Sequence, residues 1–196
     1  MKPDPAQWIV IRVNGKIAAV STDYGLFAKV AQIVSELPPE TVSEVGTEKI
    51  GTLELMDLSM RTRWEDLKLF GTAFQLKVWR QLYLLTHKSD GTPRLPEDGV
   101  KLLSYSQLAK LCDNPSGVRA VAHAVARNPI SGIIPCHLII PKESIDKVLA
   151  IRTRAQSTIF KGADLYFLDS IDVGEYAWGS DLKRRLIALQ LYRHMR

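Results

Sequence analysis

The chain has 196 residues, of which 46% are hydrophobic and 24% charged, with a formal net charge of +5. That composition describes a soluble globule of one large or two small domains, and the positive balance favours a polyanionic partner without requiring one. No apolar run approaches the roughly 18 residues of a membrane span, and two cysteines exclude a disulfide framework or a four-cysteine zinc site.

Trp8 to Val13, the dipeptide Asn14-Gly15 and Lys16 to Ser21 form a hairpin signature with the residues a type I′ turn demands. Met1 to Pro5 lacks the apolar core of a secretory signal, so the expected location is cytoplasmic, nucleoid-associated in a bacterium or nuclear in a eukaryote. Tyr24 to Leu37 reads as a helix that Pro38-Pro39 stops, and Lys49 to Met56 alternates weakly as a strand. Polar Arg61 to Lys68 leads towards a second unit opening near Phe70.

Phe74, Val78, Leu82 and Leu85 recur at helical spacing with Trp79 beside them, so an amphipathic helix is expected here. His87 to Val100, rich in Gly, Pro and charge, reads as a loop, and His87 and His194 are expected to be exposed. Ser104-Tyr105-Ser106-Gln107 has the form of a capping box opening a helix that runs through Leu111. Asn114-Pro115 reads as the start of the next helix, an N-cap followed by a proline whose missing N–H costs nothing. Two short helices joined by a polar turn make a helix-turn-helix candidate.

On the second of these helices Val118, Val121, Ala122 and Val125 share an apolar face, whereas Arg119, His123 and Arg127, four apart, form a basic stripe. Ala120 and Ala124 flank that stripe and would permit close approach to a nucleic-acid groove; the alternative is a solvated amphipathic face. Further on, Pro135-Cys136-His137 closes an apolar run. A cysteine attacks as thiolate, so it needs a base or positive surroundings, and His137 offers the former across a bend at Pro135 or through a water. The alternative is a buried thiol beside an incidental imidazole. Cys112, at a helix end in an apolar run, reads as structural.

Taken in order, Gly-Thr-Ala-Phe-Gln at 71 to 75, Val78-Trp79, Ser104-Tyr105, Asn114-Pro115, Arg119-Ala120-Val121, Asn128-Pro129, Pro135-Cys136-His137 and Gly174-Glu175-Tyr176-Ala177-Trp178-Gly179 form a connected set. Through them the chain resembles methylated-DNA protein-cysteine methyltransferases, the O6-alkylguanine DNA alkyltransferase family, over roughly residues 70 to 137 and 174 to 190. The resemblance implies a small α/β N-terminal domain over 1–69 and a mainly α, winged helix-turn-helix-like C-terminal domain over 70–196. The family transfers an alkyl group from the guanine oxygen irreversibly to its own cysteine, without a cofactor or metal. The implied partner is double-stranded DNA carrying O6-alkylguanine, gripped through its minor groove by a monomer, with no membrane involved. The alternative is a non-reactive protein that binds the same lesion.

By the same resemblance Cys136 would accept the alkyl group, His137 would act through water as its base, and Asn128 would organise the active-site turn. Tyr105 would help drive out or protonate the base. Arg119 would fill the gap left by the flipped nucleotide, with Ala120, His123, Ala124, Arg127 and Ser104 in the DNA-contacting set. Pro135, Tyr176, Ala177, Trp178 and Gly179 would wall the alkylguanine pocket. Three features depart from the family. Leu138 stands where arginine usually follows Cys-His. Gln190 takes the position of the glutamate that supports the histidine, and an amide orients imidazole without supplying charge. Residues 138 to 173 form an insertion open to three roles: covering the site, altering which lesions fit, or adding DNA contacts through Lys147, Arg152, Arg154 and Lys161. The C-terminal basic run, Lys183-Arg184-Arg185 and Arg193 to Arg196, reads as a solvated helix face.

Overall fold

A computed structural model describes residues 7–22, 25–94, 101–157 and 168–193. Strands β1 (Trp8–Val13) and β2 (Lys16–Ser21) pair antiparallel across Asn14-Gly15, and β3 (Val45–Ile50) pairs antiparallel with the other edge of β1, giving the order β2-β1-β3. The turn residues sit at φ 52° and 75°, the left-handed region that Asn and Gly tolerate best. Asn14 does more than turn: its Nδ2 donates to Thr41 O at 2.7 Å and its Oδ1 accepts from Ser43 N at 2.9 Å, tying the hairpin to the approach of β3.

The sheet is covered on both faces. Ile9, Ile11, Val13, Ala18 and Ala19 pack with Val30 of helix α1 (Gly25–Ser35) in a small cluster. Trp8, Val10, Ile17 and Val20 join the main core, which continues through every later helix to Leu191. Helix α2 (Thr52–Arg61) replaces the strand expected over Lys49 to Met56. Its buried residues Thr52, Leu55, Met56 and Ser59 follow i, i+3, i+4, i+7 spacing, a helical period that the weak alternation of the preceding residues obscured. The strand lies earlier, and β3 is exposed along most of its length, as an edge strand with one covered side is.

Helix α3 (Ala73–Tyr83) is opened by a Thr72–Gln75 capping box and buries Val78, Trp79, Leu82 and Tyr83; it ends before Leu85, which packs from the following turn. Helices α4 (Tyr105–Leu111) and α5 (Val118–Ala126) pack on each other and on α3. Ser104 caps α4 as its sequence demands: Oγ accepts from Gln107 N at 3.3 Å, and Gln107 Oε1 accepts from Ser104 N at 2.8 Å. Helix α5, by contrast, starts at Val118 with Gly117 as its N-cap, three residues later than the cap expected at Asn114. Asn114 instead closes a turn, its carbonyl accepting from Gly117 N at 3.0 Å. Its side chain lies in the space a Cβ at 117 would need, so a larger residue there would have to displace it.

Helix α6 (Lys142–Ser157) and helix α7 (Ser180–Arg193) complete the order. Ser144 and Val148 anchor α6, and Leu168, Ile171 and Val173 return the chain to the core, so the 138–173 segment is buried at both ends. Tyr166, Phe167 and Lys161 lie outside the described residues, as do the side chains of Arg152 and Arg154. The chain thus has an N-terminal part built on a small antiparallel sheet with helices and a helical C-terminal part, and no helix among the described residues is long and apolar enough to cross a membrane.

Candidate active site around Cys136

The segment 128–138 is held from outside. Val20 N, on the free edge of β2, donates to Pro129 O at 2.8 Å, and Ser131 N donates back to Val20 O at 3.2 Å. Gly132, at φ 83°, lies against α2, where a Cβ would stand 2.7 Å from Leu55. A side chain there meets both a strained backbone and a filled core. The N-terminal sheet therefore acts as the frame on which the cysteine-bearing turn is set.

Within the turn Asn128 is the organiser, buried to 8% exposure. Its Oδ1 accepts from Ile130 N at 3.0 Å, and its Nδ2 donates to Ile134 O at 2.8 Å and to Cys136 Sγ at 3.3 Å. Pro135 then leads into a 3-10 turn, Cys136–Leu138. Cys136 remains 8% exposed, with Tyr176 Oη 3.9 Å from its sulfur. The sulfur thus accepts from the Asn128 amide and donates its own proton towards Tyr176 Oη.

His137 is buried completely, and neither ring nitrogen has a hydrogen-bond partner. Burial, reinforced by the positive charge of Lys183, pushes its pKa down to about 3, so the imidazole is neutral across the physiological range. Gln190 is buried on α7, the helix that packs on the Cys136–Leu138 turn, yet it makes no hydrogen bond to His137. The expected orientation of the ring by Gln190 is corrected accordingly. Asp181 and Glu175 do not take its place: Asp181 is exposed and pairs with Arg184 at 3.0 Å, Glu175 is exposed, and neither ring nitrogen of His137 has a partner.

Tyr105, half-buried at the start of α4, has its pKa raised by burial and then by the negative charge of Cys136 and Glu175. Tyr176 is raised well above the ordinary phenol value, by burial first and then by the charge of Cys136. Both phenols therefore keep their protons and remain donors. Trp178 packs edge-on against Tyr176, with ring centroids 5.2 Å apart, and against Trp8 at 5.8 Å, so the Tyr176 wall is braced on the first strand of the sheet. Ala177 and Gly179 are exposed beside it, Gly179 at φ 87°.

The basic stripe of α5 faces solvent: Arg119, Ala120, His123 and Arg127 are all exposed. Ala124 is not part of that surface. It is 1% exposed and its carbonyl accepts from Trp79 Nε1 at 2.8 Å, because position 124 has rotated onto the α3 interface with Val121 and Val125. His87, expected to be exposed, is also buried; it stacks on Tyr83 at 4.0 Å and its pKa is lowered by burial to about 4.

The residue that sequence reasoning missed is Lys183. Read as one of three solvated cations, it is 2% exposed, its Nζ 3.3 Å from Glu175 O and 6.0 Å from the centre of the Tyr176 ring. The signal was present: 183, 186, 187 and 190 share one helical face, and Leu186 and Ile187 mark that face as internal. Among the described residues no group of three or more His, Cys, Asp or Glu side chains is arranged to hold a metal ion.

Residues 99–152 match the family model described as "6-O-methylguanine DNA methyltransferase, DNA binding domain". Similar proteins include a probable methylated-DNA–protein-cysteine methyltransferase of Acanthamoeba polyphaga mimivirus, 39% identical over 40% of this chain and 45% of the relative. A methylated-DNA–protein-cysteine methyltransferase of Haemophilus influenzae is 43% identical over 39% of this chain and 36% of its own length. A solved structure, Mycobacterium tuberculosis OGT in complex with DNA, aligns with 25% identity over 72% of this chain and 66% of its own, at a TM-score of 0.45. The similarity to these methyltransferases thus lies in the segment that matches the DNA-binding domain model. The chain spans less than half the length of the curated relatives it matches.

Proposed function

We propose that this protein repairs DNA by moving the alkyl group of an O6-alkylguanine onto Cys136, once per molecule. The carrying observation is the sulfur itself, slightly exposed and faced by the Asn128 amide and the Tyr176 hydroxyl. As the S–C bond forms, the C–O6 bond breaks; its electron pair stays with the guanine, which takes up a proton to leave as an ordinary neutral base. Tyr105, still protonated at neutral pH, is the proton donor in this reading. The thioether left on Cys136 has no leaving-group route back, so each molecule acts once.

A guanine stacked in duplex DNA does not present its O6-alkyl carbon to a protein sulfur, so the nucleotide has to be flipped out at a cost of a few kcal/mol. We assign that work to α4 and α5 as a winged helix-turn-helix-like unit docked in the minor groove. Arg119 would occupy the vacated stack, Ala120 would allow close approach, and His123 and Arg127 would lie along the phosphates. Their exposure supports this assignment. Ser104 serves it indirectly by fixing the start of α4. Tyr176, Ala177, Trp178, Gly179 and Pro135 are the proposed walls of the alkylguanine pocket. His137, neutral and with two unpaired ring nitrogens, fits a base that acts through an intervening water, since buried polar atoms rarely stay unpaired.

Incubation with duplex DNA containing O6-methylguanine should add one methyl mass to the Cys136 peptide, and Cys136→Ser should abolish the gain. A second reading follows from the missing Gln190–His137 hydrogen bond: a lesion-binding protein that flips the base without reacting. Tight, lesion-specific binding with no change of mass would establish it in place of transfer.

A further inference from the structure

The turn that carries Cys136 also carries a hydroxyl with nothing to bond to. Ser131 is 1% exposed, and its Oγ has no hydrogen-bond partner among the described residues. Its backbone, by contrast, is fixed: Ser131 N donates to Val20 O on β2 at 3.2 Å, and Ser131 bridges to Ile134 across the turn ahead of Cys136. The hydroxyl lies against Tyr176. Burial first, and the charge of Cys136 next, raise the Tyr176 pKa, and the Ser131 hydroxyl opposes them as a donor does. The two oxygens nonetheless fall short of hydrogen-bond geometry. A buried hydroxyl left unpaired costs about as much as a lost hydrogen bond, and such groups are rare enough in native structures to call for a reason.

We propose that Ser131 is a specificity-determining residue for transfer to Cys136: with Tyr176 it forms a pair of hydroxyls that binds O6 substituents carrying a hydroxyl on their second carbon, of which 2-hydroxyethyl is the smallest. This rests on Cys136 being the alkyl acceptor. Apart from Cys136 and His137, Ser131 brings the only polar side chain of residues 130–138, so its hydroxyl stands out against an apolar turn. Cys136 Sγ, Tyr176 Oη and Ser131 Oγ follow one another across the site, with the thiol 3.9 Å from the phenol. At the point of attack the transferred carbon stands about 3–3.5 Å from the sulfur, which puts an oxygen two bonds further out at about 4 Å, the radius at which Tyr176 Oη already lies. A hydroxyl there can accept from one member of the pair and donate to the other, because each can do both.

Discrimination comes from the substituent that lacks the oxygen. A propyl group has the same length, but it sets a methyl against the pair and leaves the Ser131 hydroxyl buried and unpaired. A site built to hydrogen-bond a substrate hydroxyl rejects the analogue without it for that reason. A methyl group is too short to reach either hydroxyl, so O6-methylguanine does not draw on the pair.

The test is competition for the full chain between duplex oligonucleotides carrying O6-(2-hydroxyethyl)guanine and O6-propylguanine, read as the two masses added to the Cys136 peptide. The intrinsic reactivities of the two ethers cancel when the product ratio of the native protein is divided by that of Ser131→Ala. The native protein is expected to favour hydroxyethyl about tenfold more than Ser131→Ala does, while the melting temperature of the variant stays level or rises, since it loses an unpaired hydroxyl. A product ratio unmoved by the substitution, with the fold intact, would overturn the proposal, because a merely structural serine affects both substrates alike. Should Ser131→Ala not fold, the isosteric pair Ser131→Thr and Ser131→Val carries the same comparison, and only the first should keep the preference. O6-methylguanine separates the two readings. Methyl transfer without the hydroxyethyl preference refutes this proposal alone. Absence of any alkyl transfer refutes Cys136 as acceptor, and the relative affinities of the two duplexes for the native protein and Ser131→Ala then decide whether the hydroxyl pair discriminates.

Discussion

Two basic runs in this chain carry the same chemistry and meet opposite fates. On α5 and its C-cap, Arg119, His123 and Arg127 stand four apart and are exposed, while on α7, Lys183, Arg184 and Arg185 are consecutive and the first is buried, its ammonium 3.3 Å from Glu175 O. Consecutive residues on a helix are about 100° apart, so a run of three cations cannot all face one way. Spacing by four keeps a charge row on a single face, and that face is either wet or dry as a whole. Charge content alone did not separate a solvent-exposed stripe from a buried lysine; angular position on the helix did.

Charge reversal breaks the contrast most severely. Lys183→Glu puts a carboxylate into a buried position, and is expected to cost about 3 kcal/mol or more in chemical denaturation. Arg119→Glu should leave stability within about 0.5 kcal/mol. A comparable loss of stability from both variants would erase the distinction.

Acidification probes the buried side next. His87 and His137 are neutral when folded, with pKa values lowered to about 4 and about 3. Below the unfolded value of about 6.5 the unfolded chain binds more protons than the folded one, so stability should fall as pH drops from there towards the folded values, by up to about 3 kcal/mol for His87 and about 5 kcal/mol for His137. Urea melts at successive pH values would show this slope, and His87→Phe, which can keep the stack on Tyr83, should remove its share.

On the wet side the effects are smaller and depend on salt. Removing Arg119 or Arg127 should weaken duplex binding by about tenfold or less, and each lost phosphate contact should reduce the slope of log K against log salt by about one. Titration of fluorescent duplex at several salt concentrations measures both. The smallest expected effect is at Ser104. Its capping box starts α4, and Ser104→Ala should cost about 1 kcal/mol without changing the salt slope.

Much of the architecture was legible because local rules carried it. Asn14-Gly15 makes its turn through backbone conformations that few other pairs adopt, and Ser104 and Gln107 satisfy helix-end donors within four residues. The reactive thiol and its Asn128 partner were legible as well, since both lie in one short turn. Local rules failed where contacts between distant segments took over. Lys49 to Met56 looked like a strand until the core claimed Leu55 and Met56 for a helix, and Asn114 looked like a cap until Gly117 let the chain turn once more. Ala124, placed by spacing beside the basic stripe, turned inward because Trp79, 45 residues away, needed its carbonyl.

By itself the amino-acid order determined the hairpin, the capped helices, the cysteine in its proline-led turn and the exposed cations of α5, each a matter of a few neighbouring residues. Tertiary structure alone decided that β2 would brace the cysteine turn, that the buried His137 ring would not bond to Gln190, and that Lys183 would enter the core next to Tyr176. The reason is physical: hydrogen bonds of turns and caps close over short chain distances, whereas the field at a buried sulfur is set by whichever charges the packing of remote segments removes from water.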